Sequence, residues 1–201
     1  MKYLLVILGV LLIAGCTGEG GAPFEHRVNA SHPLDDGSML VFKDMIGVGM
    51  ISGEDGDLLL GDFKAGNYSV IARALYRFNI SDWNGSNVVF HLLCTDVYGI
   101  PGAIEVYLVS DFGRLPLRPT QPLDINATWS LVNAGDLIGQ VSPGSGDWFT
   151  VTIPASKISN RELSLILKLS NESLADGNYY VLHSYERGEQ RNQQKPYLTY
   201  E

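Results

Sequence analysis

The chain has only two cysteines, Cys16 and Cys94, among 201 residues, so no disulfide framework is available and the fold must rest on its apolar core. Basic side chains are also scarce. There are 14 Lys and Arg against 22 Asp and Glu, for a formal charge of −8 at pH 7. With no run of Lys or Arg, that balance excludes nucleic acid as a partner, because phosphate contacts need clustered cations. The four histidines, His26, His32, His91 and His183, fall in no HExxH arrangement. Ser142-Pro143-Gly144-Ser145-Gly146 does not meet the Gly-x-Ser-x-Gly pattern of a nucleophile elbow. No catalytic residue is assigned, and a domain of this kind is read as a binder rather than an enzyme. A carboxylate pair for glycoside chemistry stays open, since its members need not be neighbours in sequence.

What is present begins at the first residues. Lys2 is followed by an apolar run from Tyr3 to Ala14, shorter than the roughly 20 residues a helix needs to cross a bilayer. The run has the form of a secretory signal. Ile13-Ala14-Gly15-Cys16 resembles a lipobox, which implies that residues 1–15 are removed and that Cys16 carries the lipid anchor. Two or three acyl chains on one cysteine hold a protein stably at a membrane. Residues 16–34, including Gly-rich Thr17–Pro23, read as a flexible tether, and residues 35–201 as one domain of a size that buries a sizeable core. The expected location is the extracytoplasmic face of the membrane. Asn-X-Ser/Thr triplets begin at Asn29, Asn67, Asn79, Asn84, Asn126 and Asn171. Of these, Asn29, Asn67, Asn84, Asn126 and Asn171 are the glycosylation candidates, because Asn79 falls inside a strand-like segment.

The domain reads as all-β. Segments rich in Val, Ile, Leu, Tyr and Phe alternate with Gly, Pro, Asn and Asp clusters. Strands are expected at Met39–Lys43, Leu58–Leu60, Val70–Asn79, Val88–Thr95, Ala103–Ser110, Trp129–Val132, Leu137–Val141, Trp148–Ile153, Leu163–Leu169, Tyr179–Tyr185 and Tyr197–Tyr200. In Leu163–Leu169 every odd position is leucine, so one face of that strand points into a core. Ser156–Glu162 is expected to form one helical turn, and no long helix is expected. So many strands without helices between them indicate a two-sheet β-sandwich or jelly roll. Cys94, in an apolar segment, is expected to be a buried thiol. Phe112–Thr128 is the longest irregular stretch.

Four blocks carry a family resemblance. They are Arg73–Ser81; Glu105–Val109 with Ala127-Thr128-Trp129; Asp147–Ile153; and Tyr180–Glu186 with Lys195–Tyr200. In order and spacing they resemble the DNRLRE family, associated with disaggregatase and classed among carbohydrate-binding modules. The likeness spans roughly residues 35–201. It implies a jelly-roll fold and a surface module that binds envelope or matrix polysaccharide. Asn79 stands where the family has an aspartate, and His183 where it has an aromatic residue.

Aromatic rings bind sugars by stacking on their apolar faces. Trp83 in Asp82-Trp83-Asn84-Gly85 and Tyr98 in Asp96–Gly102 sit in turns and are the ring candidates, while Trp129 and Trp148 are expected to fill the core. Arg114, Arg118 and Arg187 are candidates for reading an acidic glycan through charge-assisted hydrogen bonds; a solvated rim is the plainer reading. Glu54, Asp55 and Asp57 form an oxygen-rich loop of the kind that suits Ca²⁺, without EF-hand spacing; the plainer reading is an acidic hairpin tip. Expected partners are the membrane, through the lipid, and either a polysaccharide or other envelope proteins. The alternative function is a structural surface lipoprotein that packs against such proteins and has no glycan site.

Overall fold

A computed structural model describes residues 28–29, 35–45, 48–53, 56–116, 125–185, 188 and 195–201. Its strands are β1 Val28–Asn29, β2 Asp36–Phe42, β3 Gly49–Ser52, β4 Asp57–Ala65, β5 Tyr68–Asn79, β6 Val88–Tyr98 and β7 Ile104–Val109. After helix α1, Ile125–Ala134, come β8 Asp136–Val141, β9 Trp148–Ile153, β10 Glu162–Leu169, β11 Asn178–His183 and β12 Tyr197–Tyr200. The ladders among these strands are antiparallel. The expected all-β sandwich is present, with its two layers continuous through shared strands so that the sheet curves into a near-barrel.

Alternation in the strands determines the core. The odd-numbered leucines of β10, Leu163 to Leu169, all lie in the main cluster with Ala74, Tyr76 and Phe78 of β5 and Ile104 and Val106 of β7. These form the lower layer. Facing them across the core are Leu58 and Leu60 of β4, Phe90 and Leu92 of β6, Phe149, Val151 and Ile153 of β9, and Leu182 of β11. Burying a side chain of this size stabilises by about 1.5–3 kcal/mol, so in the absence of disulfides this double layer holds the domain together. Cys94 lies within it, fully buried, as expected. Burial, then Asp147 and Asp96, push its thiol up to about 12, which keeps it protonated and unreactive.

The layers meet at a fork. β5 pairs with β4 from Tyr68 to Ala72 and with β10 from Ala74 to Asn79. At Gly61 β4 leaves β5 and crosses to the upper layer, where Leu58 to Gly61 pair with β11. Gly61 has φ +127°, and a Cβ there would sit 2.6 Å from the Asn178 carbonyl and 2.8 Å from Leu169 Cδ1. Only glycine fits this crossing. Within the upper layer β6 is the common strand, since Val88–Leu93 pair with β9 and Val88–His91 with β12, while Cys94–Tyr98 pair with β11.

Four local expectations are corrected. Trp129–Val132 is not a strand but part of α1, because Ile125, Trp129 and Val132 fall on one helical face and pack on Met39, Leu75 and Ile166 outside the lower layer. β3 has no counterpart among the expected strands. It is short, flanked by glycine, and defined by its pairing with β2. The helical turn is a 3-10 turn over Ala155–Lys157, and Glu162 already belongs to β10. β1, inside the stretch read as tether, pairs with β12.

The fork yields a paired prediction. Gly66 also has positive φ (+63°), and a Cβ added there would meet nothing within 4 Å, so Gly66→Ala should cost roughly 1–2 kcal/mol from left-handed strain alone. Gly61→Ala should cost a further ~1–3 kcal/mol through overpacking. Urea denaturation of the two variants checks the difference.

Candidate functional site

Tyr68, 51% exposed, begins β5 edge-on to Phe42; two other exposed rings, Tyr98 and Trp148, share the outer face of the upper layer, and parity along β6 puts Tyr98 there. Phe90, Leu92 and Cys94 point into the core, so His91 and Leu93 point outward. The ladder with β11 then shifts register, Leu182 opposing Cys94 but Val181 opposing Asp96. Such a bulge inserts one residue and reverses the faces beyond it. Val97 turns toward the core, and Asp96 and Tyr98 turn outward, opposite Val181 and Tyr179. Tyr98 is 46% exposed and stacks on Tyr179, with ring centroids 4.6 Å apart and planes at 16°. Phe63 supports Tyr179 from behind at 5.7 Å.

Trp148 belongs to the same face. β9 alternates without a break, Phe149, Val151 and Ile153 inward, Trp148, Thr150 and Thr152 outward. Trp148 opposes Leu93, is 42% exposed, and lies 5.8 Å from the Tyr197 ring, which stacks on His91 at 4.3 Å. The expectation that Trp148 fills the core is therefore corrected, because its strand starts in the opposite phase. Trp129 is half-buried, with the Arg73 guanidinium 3.5 Å over its ring. At the end of the face, Gly99 turns the chain with φ +62°. The Ile100 N–H donates to Asn178 Oδ1 at 2.7 Å. Ile100, 84% exposed, is thus displayed by a fixed turn. Tyr98 is the last residue of β6 rather than part of that turn, so its exposure comes from strand parity.

The other candidates are dispersed. Trp83 is half-buried against the main core, its Nε1–H donating to the Ser86 carbonyl at 2.7 Å. It lies beyond the opposite end of β6 from Tyr98, roughly 30 Å away at about 3.3 Å per strand residue. Its ring packs the β5–β6 turn, apart from the face that Tyr98 and Trp148 share. Arg114 is exposed in the segment after β7, on the lower layer and away from both rings. Arg118 and Arg187 lie outside the described residues, as do Glu54, Asp55 and Cys16. Asp57 begins β4 opposite His183. Among the described residues no group of three or more His, Cys, Asp or Glu is placed to hold a metal ion. Asn67, Asn84, Asn126 and Asn171 are all exposed; Asn29 is described by its backbone alone. Asn79 is exposed too, with its Nδ2 donating to Glu162 at 3.1 Å.

Most of the remaining charge serves the structure. Buried Arg73 makes a two-pronged pair with Glu172, both contacts 2.7 Å, and donates to the Trp129 carbonyl, tying α1 and the β10–β11 loop to β5. Lys43 pairs with Asp62 and donates to the Leu174 carbonyl, and the Ser69 hydroxyl holds Asp176 at 2.7 Å. Arg77 sits among Asp35, Asp111 and Glu162 at 2.8–3.2 Å. Grooves do adjoin these groups, one between Val41, Lys43, Trp129 and Leu174 and one between Asp136, Lys157 and Glu162. Their charged walls are already engaged by partners within the fold. On the aromatic face the Tyr179 phenol is held above its ordinary value, first by burial and then by Tyr98 and Asp96, so it stays neutral and serves as a hydrogen-bonding hydroxyl.

No protein-family model matches the chain, and no curated protein is significantly similar to it. Among the described residues no helix is long and apolar enough to cross a membrane.

The Arg77 cluster gives a pH dependence. The hydrogen bond from Arg77, with those from Gly113 N–H and Ser164 adding to it, lowers the Asp111 carboxyl against the opposing effect of burial. A lowered folded value means stability that is present above the ordinary pKa, about 3.9, and is lost as pH falls through the folded one. Asp111→Asn should therefore be less stable at pH 7, and its melting temperature should fall less steeply than that of the wild type below about pH 4. Thermal melts from pH 2 to 7 check both.

Proposed function

We propose that the chain is an exported surface lipoprotein, anchored through Cys16 at the extracytoplasmic face of the membrane, whose β-sandwich binds an envelope or matrix polysaccharide without breaking a bond in it. The DNRLRE-like blocks support this reading from the sequence side. The observation that carries it is the exposed Tyr98 ring, held in place by Tyr179 and lying on the same sheet face as exposed Trp148. An aromatic ring that stays half-exposed and is fixed by a neighbour is pre-organised for stacking, so little side-chain freedom is lost on binding. Asp96 and Thr150, beside the rings, provide hydrogen-bonding groups for sugar hydroxyls. Exposed sequons at Asn67, Asn84, Asn126 and Asn171 lie in turns, on α1 or in the β10–β11 loop and leave this face bare.

The structural-lipoprotein alternative has one observation in its favour. Ile100 is 84% exposed beside Tyr98 and carries no hydrogen-bonding side-chain group, a feature of protein contacts. Binding of the purified full chain to an array of polysaccharides separates the two. Specific binding that falls roughly tenfold or more, about 1.4 kcal/mol, in Tyr98→Ala, with melting unchanged, is the expected result. Absence of binding to any polysaccharide, with Ile100-dependent capture of an envelope protein, overturns it. In cells, Cys16→Ser should move the protein from the membrane fraction to the soluble fraction.

A further inference from the structure

Resting on that reading, we infer that the glycan site runs across the strands, from the Tyr98 ring over Tyr179 and Phe63 to a second exposed ring, Tyr68. Register places these rings on one face, because residues directly opposed in neighbouring strands point to the same side. Tyr98 of β6 opposes Tyr179 of β11, Tyr179 opposes Gly61 of β4, and Gly61 opposes Ala72 of β5. Two residues further along, Phe63 opposes Val70, and Val70 opposes Phe42 of β2. Tyr68 follows on the same side of β5, opposite Ala65. Ring contacts trace the same path. Tyr98 lies 4.6 Å from Tyr179, Tyr179 lies 5.7 Å from Phe63, and Phe42 lies 5.5 Å from Tyr68. Buried Val70 fills the interval, in a cluster with Phe63 on which Phe42 packs. The path depends on the crossing at Gly61. The side of β5 that faces the core at Ala74, Tyr76 and Phe78 carries Val70 and Ala72 a few residues earlier. Through β4, which pairs with both β5 and β11, that side of β5 runs on into the outer face of the upper layer.

The strip has the chemistry of a sugar-binding platform. Tyr68 and Tyr98 stand at its ends, 51% and 46% exposed. Each is steadied by a neighbouring ring, so it offers a face for stacking with little side-chain freedom left to lose. Between the ends lies a shallow groove lined by Leu59, Phe63, Lys64, Asp176 and Tyr179. Leu59, Phe63 and Tyr179 supply apolar surface there. The exposed Lys64 ammonium brings three N–H donors for sugar oxygens, and the Asp176 carboxylate accepts from sugar hydroxyls. Three strand spacings of about 4.8 Å and four residues of about 3.3 Å separate Tyr98 from Tyr68, a diagonal of roughly 20 Å. That interval exceeds a disaccharide and is within reach of a hexasaccharide. The occupant is therefore a polysaccharide chain laid across both rings, rather than a single sugar enclosed in a pocket.

The test uses ladders of glucan, N-acetylglucosamine and polyuronate oligosaccharides, from disaccharide to octasaccharide, titrated calorimetrically into the full chain. Asn67, in the turn before Tyr68, begins a sequon, so the protein carries Asn67→Gln to keep an attached glycan off the strip. In at least one ladder, affinity should rise roughly tenfold or more between disaccharide and hexasaccharide. Tyr68→Ala should cut that rise to about twofold or less, and Tyr68→Phe should keep most of it. Tyr68→Leu retains apolar contact with Phe42 but has no ring, and it should bind like Tyr68→Ala while melting like the parent. A hexasaccharide held as tightly by Tyr68→Leu as by the parent, or a flat length dependence, overturns the inference and leaves glycan binding at Tyr98 standing. No binding to any ladder overturns both the inference and the reading beneath it.

Discussion

Whether Tyr98 faces solvent depends on one extra residue in β6. Up to Cys94 the strand alternates into the core in step with β9 and β12. Without the register shift at Leu182 and Val181, Tyr98 would point inward and Val97 outward. A half-reversed strand of this length can exist only because both ends are held. Val88–Leu93 lie between β9 and β12, and Cys94–Tyr98 follow β11. β11 is in turn tied to β4, which reaches it through the crossing at Gly61. The exposed face is thus a consequence of how the two layers are joined.

The stabilising contacts and the face proposed for recognition lie on opposite sides of the sandwich. The lower layer carries α1 and the buried or half-buried ion pairs of Arg73, Arg77 and Lys43. Pairs of this kind are costly to break and contribute little net stability when intact, so they specify how the loops and the helix seat rather than supply the driving force. That force comes from the apolar double layer. The upper layer's outer face, by contrast, carries rings, threonines and Asp96, and it is a surface on which side chains can change without disturbing the core.

The frame is legible in the sequence wherever alternation is strict. The β10 leucines follow from period-two patterning, while the Trp148–Ile153 strand, the β5 run and buried Cys94 follow from apolar and β-branched content. Elsewhere one local rule competes with another. Val, Trp and Leu in α1 argue for a strand, while Ile125, Trp129 and Val132 at helical spacing are the signal for a helix. Gly61, Asp62 and Lys64 conceal the second half of β4, because glycine and charges usually mark a strand's end; here they mark a crossing between layers and a buried ion pair. Size argues for Trp148 in the core, although its own strand, with Phe149, Val151 and Ile153 in phase, points the other way. Tyr179 has no local signal at all. Its role depends on its register with Tyr98, and cross-strand register between segments eighty residues apart is set by the whole sheet.

Recognition through one sheet face, defined by Trp148, Tyr98 and Tyr179, is tested most directly by hydroxyl-radical footprinting. The full chain would be oxidised with and without polysaccharide extracted from the native envelope. Protection at these three rings together, with the oxidation of Trp83 and Trp129 unchanged, is the predicted result. Protection confined to the groove beside Trp129, or three rings equally reactive with polysaccharide demonstrably bound, would contradict it.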